Sequence, residues 1–152
     1  MIRQFQPEDA SSCCQLIRDC LANESSFAAP LREKIIAGET PQSMKERARL
    51  FYIAVCEVEG RIAGLVGLDM NEIRLLYVSP SHQRRGVGRS LFEHIKAMIP
   101  KILFSDIFVY SSLQAIDFYK ACGFIDKGSF NFDVGGEILP TVFMTFSITS
   151  AE

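Results

Sequence analysis

The sequence predicts one mixed α/β domain spanning residues 1–152, with six or seven mostly antiparallel strands flanked by about four helices. Three observations carry this. Segments with helical apolar spacing alternate along the chain with short runs rich in β-branched and aromatic residues. Three of those runs follow one another in the middle, separated by tight polar turns. No repeat, linker or low-complexity tract divides the chain. At this length a sizeable core can form without disulfides or structural metal.

Taken in order, Met1 to Phe5 reads as a short first strand. From Pro7 to Ala22, the apolar residues Ala10, Cys13, Cys14, Ile17 and Leu21 form the stripe of an amphipathic helix. A short second helix is expected around Leu31 to Ala37. Thr40-Pro41 supplies an N-cap and a first-turn proline for another, running to Arg49. Leu50–Val58 and Arg61–Leu68 read as strands joined by a hairpin turn at Glu59-Gly60, and Glu72–Ser79 extends them into a meander that Pro80 ends. Gly88 to Met98 is helical, with Leu91, Phe92, Ile95 and Met98 on one face, and Pro100 stops it. Ile102–Tyr110 is an apolar strand and Leu113–Ala121 a helix capped by Gly123. Phe124–Val134 and Ile138–Ile148 close the chain as strands joined through Gly135-Gly136.

Composition narrows the function. Sixteen Lys and Arg against eighteen Asp and Glu give a net charge of −2, which disfavours a protein built to bind nucleic acid or an anionic membrane. No apolar run is long enough to span a bilayer, and the start meets Glu8 and Asp9 where a signal peptide needs apolar residues. A soluble cytoplasmic protein is expected. Cys13, Cys14, Cys20, Cys56 and Cys122 are odd in number and lack a Cys-x-x-Cys pair, so core packing is expected of them. With only His82 and His94 as imidazoles and no ligand spacing, no metal is expected.

The most informative stretch is Gln83-Arg84-Arg85-Gly86-Val87-Gly88-Arg89-Ser90, between a strand that ends at Pro80 and a helix. The first N–H groups of a helix lack internal partners and carry the positive end of its dipole, so glycines there form an anion cradle. A Walker loop is excluded, because its four-residue spacing and its lysine are missing. A Rossmann site is disfavoured because Leu91 stands at the third glycine and three antiparallel strands come first. The Gln/Arg-x-x-Gly-x-Gly/Ala pattern that binds the pyrophosphate of coenzyme A fits at every fixed position.

At these residues the chain resembles the GNAT superfamily of acetyl-CoA-dependent N-acetyltransferases. Two further blocks support the resemblance: Asn71 to Pro80 is similar to the family's fourth strand, and Ser112 to Phe124 to its last helix and turn. The resemblance implies a splayed central pair of strands, with the pantetheine arm of acetyl-CoA between them against the backbone of Leu76, Tyr77 and Val78. It implies that backbone N–H groups from Arg84 to Ser90 hold the pyrophosphate, with the arginine side chains near the 3′-phosphate. Ser112 stands where the family often has asparagine and is a further coenzyme contact. The family leaves a homodimer open, although the chain carries no interface signature.

Direct attack of an amine on a thioester needs a base, donors for the developing oxyanion and an acid for the thiolate. Tyr119, in Phe118-Tyr119-x-x-x-Gly123-Phe124, matches the family's acid; a phenol near pKa 10 can protonate a thiolate whose thiol sits near 8.5. Glu72 is the expected base, since period two would put it on one face with Arg74, Leu76 and Val78. Asp69 and ordered water are the reserves. A cysteine-borne acetyl group on Cys56 or Cys122 is disfavoured for want of a partner that would ionise it. The acceptor, a small-molecule or protein amine, stays open. Glu24, Glu33, Asp133 and Glu137 are the acids, and Phe27, Phe130 and Phe132 the aromatics, of the segments expected around it. A non-catalytic acyl-CoA-binding sensor is the competing function.

Overall fold

A computed structural model of the chain describes residues 1–148. Seven strands make one sheet: β1 (Ile2–Gln4), β2 (Tyr52–Val58), β3 (Arg61–Asp69), β4 (Glu72–Val78), β5 (Asp106–Ser112), β6 (Ile125–Val134) and β7 (Glu137–Ser147). Their spatial order is β1-β2-β3-β4-β5-β7-β6. Every neighbouring pair is antiparallel except β4 and β5. Five α-helices accompany them: α1 (Ala10–Ala22), α2 (Ala29–Gly38), α3 (Pro41–Leu50), α4 (Val87–Met98) and α5 (Ile116–Cys122).

Local chemistry explains the boundaries. The β2–β3 hairpin turns through Glu59 at φ 53° and Gly60 at φ 76°, the left-handed pair whose twist matches the flanking strands. Helix α3 starts on a reciprocal cap: the Ser43 N–H donates to the Thr40 hydroxyl, and the Thr40 N–H to that of Ser43. Gly123, at φ 105°, ends α5.

The sheet carries two apolar layers. On one face Cys13, Ile17 and Leu21 of α1 and Met44 of α3 pack against Ile53, Val55, Leu65 and Leu75. On the other, Leu91, Phe92 and Ile95 of α4 and Tyr119 of α5 pack against Ala54, Val66, Ile73, Ile107 and Val109. Burying each of these large side chains stabilises the fold by roughly 1.5–3 kcal/mol. Among the described residues no helix is long and apolar enough to cross a membrane.

One expected strand start is wrong. Ile102 and Leu103 are 93% and 70% exposed, and β5 begins only at Asp106. The Pro100 carbonyl accepts from the N–H groups of both Leu103 and Phe104, so the backbone closes into a turn before it can pair with a neighbour.

Candidate active site

Strands β4 and β5 pair only at Glu72–Phe108 and Ile73–Val109, and then diverge. The divergence opens a cleft of about 280 Å³ in the middle of the sheet. Ile73 to Tyr77 form one wall, Val109 to Ser112 the other, and Tyr119, Leu139 and Thr141 complete the lining with Leu21, Glu24, Phe27 and Ile35 from the α1–α2 side. The expected splay is therefore present.

Beyond the pairing, β4 keeps β3 on one side and an open edge on the other. The Ser79 N–H donates to Ala63, and Tyr77 stands opposite Leu65. Alternation along an antiparallel ladder then turns the amide groups of Tyr77 toward β3 and those of Leu76 and Val78 toward the open edge. The Val78 carbonyl accordingly accepts from Cys20 Sγ at 3.2 Å and from Gln83 Nε2 at 3.1 Å. Of the three residues expected to offer backbone to a ligand, Leu76 is free to do so and Val78 keeps its N–H, its carbonyl being taken by Cys20 and Gln83; the Tyr77 backbone is spent inside the sheet. Cys20 is only half-buried and uses its thiol on this carbonyl, which its expected core role did not include.

The Gln83–Ser90 loop leads from β4 to α4. Arg84 (φ 62°) and Gly86 (φ 82°) are both left-handed, which curves successive N–H groups around a concavity of the kind that receives anions. No side chain caps α4, and its first internal bond runs from the Ser90 N–H to Gly86. The N–H groups of Val87, Gly88 and Arg89 thus lack intrahelical acceptors, whereas that of Ser90, expected among the pyrophosphate donors, is spent inside the helix. A Cβ at Gly86 would meet nothing within 4 Å, so the space before the helix is open. Gly88 does a different job: a Cβ there would lie 2.9 Å from Phe118, so it permits α4 to pack on α5. Val87 is turned into the core and can offer only its backbone. Arg84, Arg85 and Arg89 are exposed, and none pairs with an acid among the described residues; Arg89 reaches the Ala121 carbonyl at the end of α5. An open, uncapped helix N-terminus ringed by unneutralised arginines suits a pyrophosphate.

Tyr119 is 5% exposed and lines the cleft, and burial, with Tyr77 nearby, pushes its phenol well above the usual tyrosine value. Tyr77 also lines the cleft, and burial pushes its phenol up to about 12. Sequence reasoning credited Tyr77 only with its backbone; nothing in the strand pattern marks its hydroxyl. Ser112 lines the far wall beside the buried Ser111, whose hydroxyl donates to the Ser112 carbonyl.

Glu72 lies at the closed end of the splay, where the strands still pair, and is not among the residues that line the cleft. The expected face-sharing with Leu76 and Val78 is overturned. Between Leu68–Ile73 and Gly67–Leu75 the register slips, leaving Arg74 as the extra residue of a bulge. A bulge flips the side-chain alternation beyond it. Glu72 therefore shares its face with Leu75 and Tyr77, while Leu76 and Val78 pack on the α4 layer. Its carboxyl is raised mainly by burial, with Asp69 adding and Arg74, 3.9 Å away, opposing. Asp69 is held by Arg74 at 3.2 Å.

Of the acids expected near the acceptor, only Glu24 lines the cleft. Phe27 lines it too; Phe130 and Phe132 do not, but pack on the lining residue Tyr110, tilted and edge-on, at centroid distances of 5.2 and 5.1 Å. Thr141, buried and donating to the Phe130 carbonyl, was not singled out by the sequence.

Residues 22–140 match the family model of the acetyltransferase (GNAT) domain. The uncharacterized N-acetyltransferase YafP of Escherichia coli K12 is 27% identical over 124 residues, 81% of this chain and 79% of that protein. Among solved structures, a GCN5-related N-acetyltransferase from Rhodopseudomonas palustris superposes with a TM-score of 0.89 at 21% identity, covering 97% of this chain and 95% of the other. The PaiA N-acetyltransferase of Thermoplasma acidophilum, solved with coenzyme A, has a TM-score of 0.71 at 15% identity, covering 97% and 98%.

Proposed function

We propose, from the premise that this chain belongs to the GNAT acetyltransferase family and is an N-acetyltransferase, that it moves an acetyl group from acetyl-CoA to a primary amine by direct attack within a ternary complex. The observation that carries this reading is that one strand, β4, both borders the cleft lined by Tyr119 and leads through the Gln83–Gly86 loop to the open, uncapped N-terminus of α4.

Bound acetyl-CoA supplies an electrophilic acyl carbon and a sulfur that leaves as thiolate. Every other part comes from the chain. The N–H groups of Gly86 to Arg89 hold the pyrophosphate, and Arg84, Arg85 and Arg89 neutralise the remaining phosphate charge. Leu76 and Val78 offer backbone on the open edge of β4, where an N–H stabilises the charge that develops on the acyl oxygen. Ser112 orients the arm from the opposite wall. Glu72, with a raised carboxyl but outside the cleft lining, takes the proton of the incoming ammonium through water, Asp69 being the alternative acid. Tyr119 gives its phenolic proton to the departing sulfur. Burial raises the phenol and would raise a thiol beside it, since both are charged only when deprotonated, so the pair stays matched. The five cysteines, all free, suit the cytoplasm, where thiols stay reduced.

Calorimetric titration with acetyl-CoA, CoA and NAD, followed by an assay of amine-dependent thiol release, tests this. One-to-one binding of the CoA species alone, with thiol released only when amine is added, supports it. Binding without release for any amine restores the non-catalytic sensor.

A further inference from the structure

Resting on that reading, we infer that the acceptor is a monocationic arylalkylamine, its ammonium paired with Glu24 and its aromatic body laid on the Tyr110–Phe130–Phe132 wall.

Glu24 is 8% exposed and lines the cleft, yet none of the ion pairs among the described residues includes it. One carboxylate oxygen, Oε1, accepts from the Ser26 N–H and hydroxyl. No hydrogen bond among the described residues reaches Oε2. Oε2 is not sealed off by protein, so it is open to a cation carried by a ligand in the cleft. The loop that holds it is fixed rather than loose. Arg32 Nε donates to the Glu24 carbonyl at 2.8 Å, and the Ser25 N–H donates to Gln114 across the cleft. Further along, Lys34 donates to the Gly135 carbonyl of the β6–β7 hairpin at 3.0 Å. These ties make the α1–α2 segment a roof over the cleft, which admits a small molecule more readily than an extended peptide.

The charge inside argues for a single ammonium. Among the described residues Glu24 is the one acid lining the cleft; Arg74, also in its lining, would repel a second cation. Arg74 is itself held by Asp69 and Glu72, so it is not a free partner for the carboxylate of an amino acid. Glu33, Asp133 and Glu137 do not line the cleft, and Asp133 is spent on the Gly136 N–H. The rest of the acceptor meets carbon. Tyr110 lines the cleft, and its ring continues into those of Phe130, Phe132 and Phe143, with Phe27 from the roof. Phe130 and Phe132 are not in the lining themselves, but Phe130 is 47% exposed and packs on Tyr110, which extends the aromatic surface outward from the cleft. An aromatic ring on a short alkyl ammonium satisfies both the Glu24 carboxylate and this surface.

The test is calorimetric binding to the CoA-saturated protein, with 2-phenylethylamine, 2-phenylethanol and ethylamine as probes at neutral pH. We expect saturable binding of 2-phenylethylamine, with the alcohol and ethylamine each at least ~10-fold weaker. In Glu24→Gln the amine and alcohol should bind equally, because the amide oxygen keeps both Ser26 contacts while the charge is gone. Failure of 2-phenylethylamine to bind, equal affinity for amine and alcohol in the parent, or discrimination that survives in Glu24→Gln would each overturn the inference. If CoA itself does not bind, the acetyltransfer reading fails separately, and the same titration on the free protein still tests the Glu24 pairing.

Discussion

The loop before α4 presents backbone N–H groups from a few consecutive residues. The cleft beside it presents side chains drawn from the α1–α2 connection, β4, β5, β7 and α5. The loop needs only a strand, a turn with two glycines and a helix, all contiguous in sequence. The cleft needs five separate elements to arrive together, and what it recognises depends on which side chains they happen to bring. The contrast separates a general function, holding a phosphate with main chain, from a particular one, choosing an amine with side chains. Variation in one should leave the other standing.

Placing a carboxylate at the mouth of the cradle should break that contrast most sharply. Gly86→Glu puts like charge against phosphate, which costs several kcal/mol, so CoA affinity should fall at least ~10³-fold in calorimetry. The Cβ itself has room, and the left-handed φ adds only about 1–2 kcal/mol of strain, so circular dichroism should report an intact fold.

Tyr119→Phe should do the reverse. It should lower kcat about 10²-fold in a thiol-release assay while leaving CoA affinity unchanged, since the phenol belongs to the cleft and not to the cradle. Glu72→Gln should cost about tenfold in kcat/KM. A base acts when deprotonated, and burial raises this carboxyl, so the acidic limb of the parent profile should lie above the ordinary glutamate value and disappear in the variant. A parent limb at the ordinary value, or one that persists in Glu72→Gln, would move the base elsewhere.

Gly88→Ala sharpens the comparison from inside the loop. Its methyl would press on Phe118, costing about 1–3 kcal/mol in urea unfolding, while at Gly86 the same methyl touches nothing. Two glycines of one motif should thus divide into a stability position and a ligand position.

The same contrast explains what could be read from the sequence. The Gly86-x-Gly88 loop, the Thr40-Pro41 helix start and the Glu59-Gly60 hairpin are local, because each depends on residues that touch their own neighbours. The bulge at Arg74 was not legible, because a register slip depends on the partner strand β3, and it reversed the face on which Glu72 was placed. Ile102 and Leu103 look like strand residues but lie beyond the edge of any pairing partner. Glu24 was visible as an acid, but its selection over Glu33, Asp133 and Glu137 required the ties from Ser25 to Gln114 and from Lys34 to Gly135, which span 89 and 101 residues.

The divergence of β4 from β5 also leaves a mark on the clock of the backbone. In most seven-stranded sheets the fourth strand would be the slowest to trade its amide protons for deuterium. Here Leu76 and Val78 point theirs at solvent in the centre of the molecule, while Tyr77 between them points inward to β3. Fast, slow, fast along three adjacent residues is the expected signature of the free protein. A ligand that completes the edge should silence it.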